Sequence, residues 1–192
     1  MSIAMIPYAA VKWIWIVFII FWVLAAFVQK RNARRQTVGS RLIQVSIILL
    51  VLVPFFVEGR RVGLLYRHLY SNLPIFQYFG VLLLLLGVGF AVWARFVLGR
   101  NWSGIVTVKE DHTLITRGPY AWVRHPIYTG ILLALLGTAV TLGTVINLVE
   151  LVAVGLALWL KLRMEEKFMF ETFGEQYTAY RQQVKALIPH VI

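Results

Sequence analysis

The chain has 192 residues, 60% hydrophobic and 14% aromatic, with no cysteine. A soluble globular chain carries about 45–50% apolar residues, so an ordinary soluble domain is excluded, and the missing cysteine excludes disulfides, thiolate metal sites and a cysteine nucleophile. The net charge of +11 would suit nucleic acid, but its basic residues flank apolar runs and read as topology signals and partners of anionic membrane lipids, so no nucleic-acid partner is expected.

The length allows one domain. Pro7 to Val28 is 22 residues broken only by Lys12, enough for the ~20 residues that cross a bilayer core. Basic residues follow it where a cleaved signal peptide would show small residues, so this run is expected to remain as a span. Leu42 to Val57 holds Gln44, Ser46 and Pro54 but no charge and predicts a second, shorter span. Leu73 to Leu98 predicts a third, with Arg95 near its end. Ile127 to Leu142 and Thr144 to Leu160, separated only by Gly143, predict an antiparallel hairpin. The fold class is therefore an all-α integral membrane protein with about five transmembrane helices.

The last of these helices is expected to overshoot the membrane. From Thr144 to Thr172 only Gly155 interrupts good helix formers, and at 1.5 Å per residue that run is about 43 Å long. Lys161 to Phe170 should then stand at or beyond the interface. Gly174 is a natural stop, after which Glu175 to Ala186 predicts an amphipathic helix carrying Tyr177, Tyr180 and Arg181. Glu150, two turns from the outer end, is expected to snorkel to the outer surface.

Lys and Arg set the orientation. Segments 29–41, 95–126 and 161–192 hold fifteen of them, against Lys12, Arg60, Arg61 and Arg67 on the other side. That asymmetry predicts an outer N-terminus, with the C-terminus and the polar segments in the cytoplasm.

Most groups able to do chemistry sit in two patches, 109–130 and 161–181, which a helical hairpin returns to one side of the membrane. Pro126 keeps His125 out of the helix that follows and is a good first helical residue. Arg124 and His125 are thus presented at a helix N-terminus, a setting that favours an anion. Tyr120, Trp122 and Tyr128 add aromatic surface. Lys161 and Glu165, four apart, share a helix face. Glu165 and Glu166 point about 100° apart, so one is expected to face the site while the other meets water or caps a neighbour. The alternative is that this cluster only marks the exit from the bilayer. No His-x-x-x-His or Glu-x-x-His pair suggests a metal, and no dinucleotide or P-loop motif occurs.

Asn101-Trp-Ser-Gly104, Lys109 to Ile115, Gly118-Pro-Tyr120, Arg124-His-Pro-Ile-Tyr-Thr-Gly130, Glu165-Glu166 and Phe173 to Tyr180 together resemble the isoprenylcysteine carboxyl methyltransferase family, part of a wider group with the phospholipid N-methyltransferases. The resemblance runs from about Phe96 to Pro189, so residues 1–95 are taken as an N-terminal region of three transmembrane helices and 96–192 as the methyltransferase-like region with a cytoplasmic cofactor pocket.

The resemblance implies S-adenosyl-L-methionine as cofactor, held by His112, Thr113, Leu114, Ile115, Tyr120, Arg124, His125, Pro126, Ile127, Tyr128 and Glu165. It implies an Arg one turn before that Glu to hold a substrate carboxylate. Here Lys161 takes that place, with Arg163 two residues on, and Lys161, Arg163 and Glu165 are the candidate catalytic residues. The implied reaction is carboxyl O-methylation of an isoprenylcysteine-like or other lipophilic acceptor, a small molecule or lipidated substrate entering from the bilayer. The alternatives are a phospholipid or amine N-methyltransferase, in which Glu165, Glu166 or a tyrosine would act as base, and an NADPH-dependent sterol-type reductase, against which Pro126 stands.

Overall fold

The structure, a computed structural model, describes residues 6–26, 63–71, 73–99, 114–189 and 191. Among the described residues five α-helices follow one another: α1 (Ile6–Ala26), α2 (Pro74–Leu98), α3 (Pro126–Leu142), α4 (Val145–Phe173) and α5 (Glu175–Gln183). Short 3-10 turns lie at Leu64–Tyr66 and Gly118–Ala121. α1, α2 and α4 are long and apolar enough to cross a bilayer, and α3 is a shorter apolar helix of 17 residues. The described elements are all helical, and the chain is an integral membrane protein. The second expected span, 42–57, lies outside the described residues.

The local signals act as their chemistry requires. Pro74 and Pro126 open α2 and α3, where a missing N–H costs nothing. Gly143 turns the chain between α3 and α4 at φ +63°, and its N–H closes α3 on the Ala139 carbonyl at 2.8 Å. Gly174, at φ +52°, caps α4 after Phe173, at the expected stop.

α2 and α3 share the most extensive helix–helix contact, and glycine makes it. They run antiparallel, with Gly80 opposite Gly137 and Gly87 opposite Gly130. A Cβ on Gly137 would lie 2.5 Å from the Gly80 carbonyl oxygen, and one on Gly87 2.5 Å from that of Gly130. No side chain fits there, so the two backbones touch. Between lipid-embedded helices, where water drives nothing together, close backbone approach supplies the packing. Leu84, Ala91 and Ala134 fill the rest of the seam and are buried.

The other helices attach by polar hooks. Trp15 Nε1 of α1 donates to Thr138 Oγ1 at 3.0 Å, and Arg95 donates to the Ala25 carbonyl at 2.6 Å. The end of α1 thus lies beside the end of α2. At the opposite end of the bundle, the Leu69 N–H donates to the Gly143 carbonyl at 2.8 Å, and the Val145 N–H to that of Arg67 at 3.2 Å.

α4 turns one stripe inward: Asn147, Glu150, Val154, Leu158 and Lys161 are all buried. This corrects the expectation for Glu150. It is 7% exposed, and its carboxylate accepts from Asn147 Nδ2 at 3.5 Å. Helical phase decides against snorkelling, because residue 150 shares its face with 154 and 161.

A second correction concerns the C-terminus. α5 stops at Gln183, and Val184 is extended at φ −119°, ψ 131°, where helix was expected to Ala186. The backbone there pairs instead with the segment before α3.

Candidate functional site

The site begins with a turn. Gly118, at φ +63°, sits against Val97 and Trp93 and starts the 3-10 turn to Ala121. Tyr180 of α5 donates its hydroxyl to the Tyr120 carbonyl at 2.6 Å. Pro126 forbids helix at His125, which is extended in φ (−121°) with ψ 60°, so the backbone N–H groups before α3 need partners outside a helix. The C-terminal segment supplies them. Arg124 N–H donates to the Lys185 carbonyl at 2.8 Å and His125 N–H to that of Ala186 at 3.0 Å. The Thr129 hydroxyl donates to the Leu187 carbonyl at 2.7 Å.

Two rings stand on this base. His125 and Tyr128 stack nearly parallel, their centroids 5.4 Å apart and their planes 8° from coplanar. Tyr128 Oη donates to Glu165 Oε1 at 2.6 Å. His125 Nδ1 lies 3.6 Å from Glu165 Oε2, and Nε2 lies 3.4 Å from Glu166 Oε1. Lys161 Nζ is 3.8 Å from Glu165 Oε1 and 5.7 Å from the centre of the Tyr128 ring.

Both glutamates therefore reach the same imidazole, a correction to the expected division between site and solvent. Their directions do diverge around α4, but the ring lies between those directions and offers a nitrogen to each side. Burial disfavours charge on His125, yet the two carboxylates outweigh it and hold its pKa above the ordinary 6.5. Burial is also the main cause of the raised pKa of the Tyr120 phenol, which keeps it a neutral hydroxyl.

Arg124 is bound on every side. Nε donates to Glu166 Oε1 at 2.8 Å, Nη2 closes on the same oxygen, and Nη1 donates to the carbonyls of Val184 and Arg181. Arg181 Nε adds a second cation 3.7 Å from Glu166 Oε2.

Arg124, His125, Tyr128, Lys161 and Glu165 are thus brought together as the sequence suggests. Pro126 and Ile127 are buried in the first turn of α3, and Tyr120 is buried beside it. Ile115 packs against the core, and Leu114 is half-buried. His112 and Thr113 lie outside the described residues. Arg163 is turned away: it is exposed and sits over the Trp159 ring at 5.8 Å. Sequence reasoning missed the pairing of Glu166 with Arg124, and the carbonyls of residues 181–187. The one local signal for the latter was the spacing of Tyr177, Tyr180 and Arg181. Among the described residues, no group of three or more His, Asp or Glu side chains is placed to hold a metal ion.

A family model described as phospholipid methyltransferase matches residues 75–176, more than half of the chain. The chain belongs to the phospholipid methyltransferase family. Two relatives and one solved structure illustrate what the chain is similar to. The protein-S-isoprenylcysteine O-methyltransferase of Saccharomyces cerevisiae is 33% identical over 138 residues, covering 64% of this chain and 56% of that one. The Tribolium castaneum protein of the same name is 34% identical over 146 residues, covering 72% and 49%. A solved structure of the eukaryotic intramembrane Ras methyltransferase, isoprenylcysteine carboxyl methyltransferase, is similar with a TM-score of 0.51 at 28% identity, covering 83% of this chain and 55% of that one. This phospholipid methyltransferase family member therefore spans about half the length of the relatives it matches. These relatives bear out the resemblance to the isoprenylcysteine carboxyl methyltransferases carried by the Arg124-to-Gly130 and Glu165-Glu166 motifs.

Proposed function

We propose that this chain is an S-adenosyl-L-methionine-dependent methyltransferase that O-methylates the carboxylate of a lipophilic, isoprenylcysteine-like acceptor. The observation that carries this reading is the convergence of Lys161, Glu165, Tyr128 and His125 where the apolar lengths of α3 and α4 end. A greasy tail in the bilayer and a polar head at its surface both find matching chemistry there.

The residues suit the cofactor. Glu165 offers acceptor oxygens for hydroxyl or ammonium groups, and the Tyr128 ring, already faced by a cation at 5.7 Å, attracts positive charge. His125 and Tyr120, with Leu114 and Ile115, would add the flanking surface. When bound, the cofactor supplies an activated methyl group on a sulfonium. The chain's own task is to place an acceptor oxygen in line and to exclude water. A carboxylate is already ionised at neutral pH, so no base is required. Lys161, buried at the head of the inward stripe of α4, is the cation to orient it. Arg163, exposed over the Trp159 ring, is turned away from this cluster and is set aside.

The same reading puts the site in the cytoplasm and the N-terminus outside. Fifteen basic residues against four favour that orientation. The segments before and after residues 27–62 lie at opposite ends of the bundle, Ala25 beside Arg95 and Leu69 beside Gly143. Residues 96–192 would then supply the site and 1–95 the helices that carry it.

A second reading rests on the short Tyr128–Glu165 hydrogen bond. That pair could accept a proton from an ammonium, which a phospholipid amine must lose before methylation. The test is transfer of tritiated methyl from S-adenosylmethionine, by the purified chain, to farnesylcysteine analogues and separately to a phosphatidylethanolamine-containing lipid extract. Label in the farnesylcysteine ester supports the first reading, and label in lipid amines supports the second. Label in neither sinks both.

A further inference from the structure

We infer that Arg124 is a positioning residue: its guanidinium latches the C-terminal segment and Glu166 to the loop before α3, and so fixes the His125 ring without itself touching a ligand. This goes beyond the family's match, which ends at residue 176, before Tyr180, Arg181 and the 184–187 segment that the latch uses.

Three observations carry it. First, the guanidinium is 7% exposed and each of its nitrogens is already bound to protein: Nε and Nη2 to Glu166, Nη1 to the Val184 and Arg181 carbonyls. Second, Glu166 Oε1 is shared between Arg124 and His125 Nε2, the latter at 3.4 Å. Nε2 is buried and makes no hydrogen bond of good geometry, so this carboxylate is what faces it, and Arg124 is what orients the carboxylate. Third, the latch is doubled by the main chain. Val123 and Lys185 form a parallel bridge, and the 185–187 carbonyls take the N–H groups of Arg124 and His125 and the hydroxyl of Thr129. Ala186 within this segment and Tyr177 and Tyr180 just before it are buried, so it is packed into place.

The consequence is a division of labour among the cations. Lys161 stands on the ligand side of Glu165, while Arg124 stands behind Glu166. A planar fork that reaches one carboxylate twice and two carbonyls with its third nitrogen cannot be replaced by an ammonium. Its loss would let the imidazole turn, and a misplacement of about 1 Å costs on the order of 100-fold at a reacting site.

The ligand arm of the test rests on the methyl-donor reading, and the spectroscopic arm does not. Arg124→Lys, Glu166→Gln and the double variant are prepared as full-length chains in lipid nanodiscs, with the milder Thr129→Val alongside. Calorimetry measures binding of S-adenosylhomocysteine and of its decarboxylated analogue. Nitrogen-15 histidine spectra, with His125 assigned from His125→Asn, report the ring. The expected result is an equal loss for both ligands, roughly 10- to 100-fold in each single variant. His125 resonances should move in both, and the double variant should be no worse than the poorer single one, because the partners form one unit.

Loss of affinity for S-adenosylhomocysteine alone, with the decarboxylated analogue unaffected, would make Arg124 a direct ligand of the carboxylate and overturn the inference. Wild-type His125 resonances in Arg124→Lys would overturn it too. Should Arg124→Lys fail to fold, Thr129→Val decides: moved resonances support the latch and unmoved ones refute it. A wild-type chain that binds neither ligand would refute the methyl-donor reading, and the His125 resonances would then decide the latch by themselves.

Discussion

The Tyr128 hydroxyl and Glu165 meet at 2.6 Å, joining the first turn of α3 to the far end of α4. That bond makes one site from two sequence motifs. The phenol donates, so the carboxylate keeps its other oxygen turned to His125 at 3.6 Å.

Tyr128→Phe should keep the ring stacked on His125 and lose only the donor. A hydrogen bond to a charged group contributes about 1.5–3 kcal/mol, which is roughly 10- to 150-fold in an equilibrium constant. The expected outcome is a loss of stability of that order, read as a lower melting temperature, together with weaker S-adenosylhomocysteine binding, measured by calorimetry. Wild-type affinity would remove Glu165 and Tyr128 from the cofactor's surroundings.

The two cations of α4 should separate cleanly in kinetics. Lys161→Met is expected to lower turnover of a carboxylate acceptor about 10- to 150-fold, the worth of a charge-assisted hydrogen bond. Cofactor affinity should stay nearly intact. Arg163→Met, which removes a side chain lying over Trp159, should change turnover little. The reverse order would reassign the substrate cation.

Stability should depend on pH through His125. Its folded pKa is above 6.5, because Glu165 and Glu166 outweigh burial, while Arg124, Lys161 and Arg181 beside the same carboxylates temper the effect. A raised pKa means that the folded state binds the proton more tightly than the unfolded chain. The contribution is therefore complete below about pH 6.5 and is lost as pH rises through the higher folded value. Melting temperature in detergent should fall across that window at constant ionic strength, and His125→Asn should flatten the profile. A wild-type curve that instead rises there would mean a neutral imidazole.

Gly87→Ala should be among the most damaging small changes in the chain. Its Cβ would sit 2.5 Å from the Gly130 carbonyl oxygen, with only backbone to yield, and overpacking of this kind costs about 1–3 kcal/mol. Gly89→Ala, two residues on, has nothing within 4 Å and should be neutral. Thermal melts of the pair in one detergent check the difference.

What was legible in the chain depended on range. Apolar runs, Pro126, Gly143 and Gly174 act over a few residues, and they placed α1, α2, the α3–α4 hairpin and the overrun of α4. The Arg124-His125-Pro126 and Glu165-Glu166 patches were also brought to one end of the bundle, since a hairpin admits no other arrangement. Glu150 was misjudged because its depth was counted along the helix, while its partners are set by phase around it. Residues 184–187 were misjudged because their helical periodicity is weak and their real partners lie about 60 residues away. Backbone pairing across that distance leaves no mark on local composition. The division of Glu165 and Glu166 between site and solvent fails for the same reason: the Arg124 that holds Glu166 is 42 residues distant.

α3 has only 17 residues, a rise of about 25 Å, against a hydrocarbon core of roughly 30 Å. Its glycine seam with α2 leaves it no freedom to slide, and tilting a short helix makes its reach shorter still. A bilayer of that thickness would then thin beside Pro126 and draw its headgroups inward, one of the ways a short span is accommodated. An acceptor anchored in that thinned annulus would have its polar end lowered to the level of His125 and Lys161, so that the membrane's own deformation delivers the reacting group.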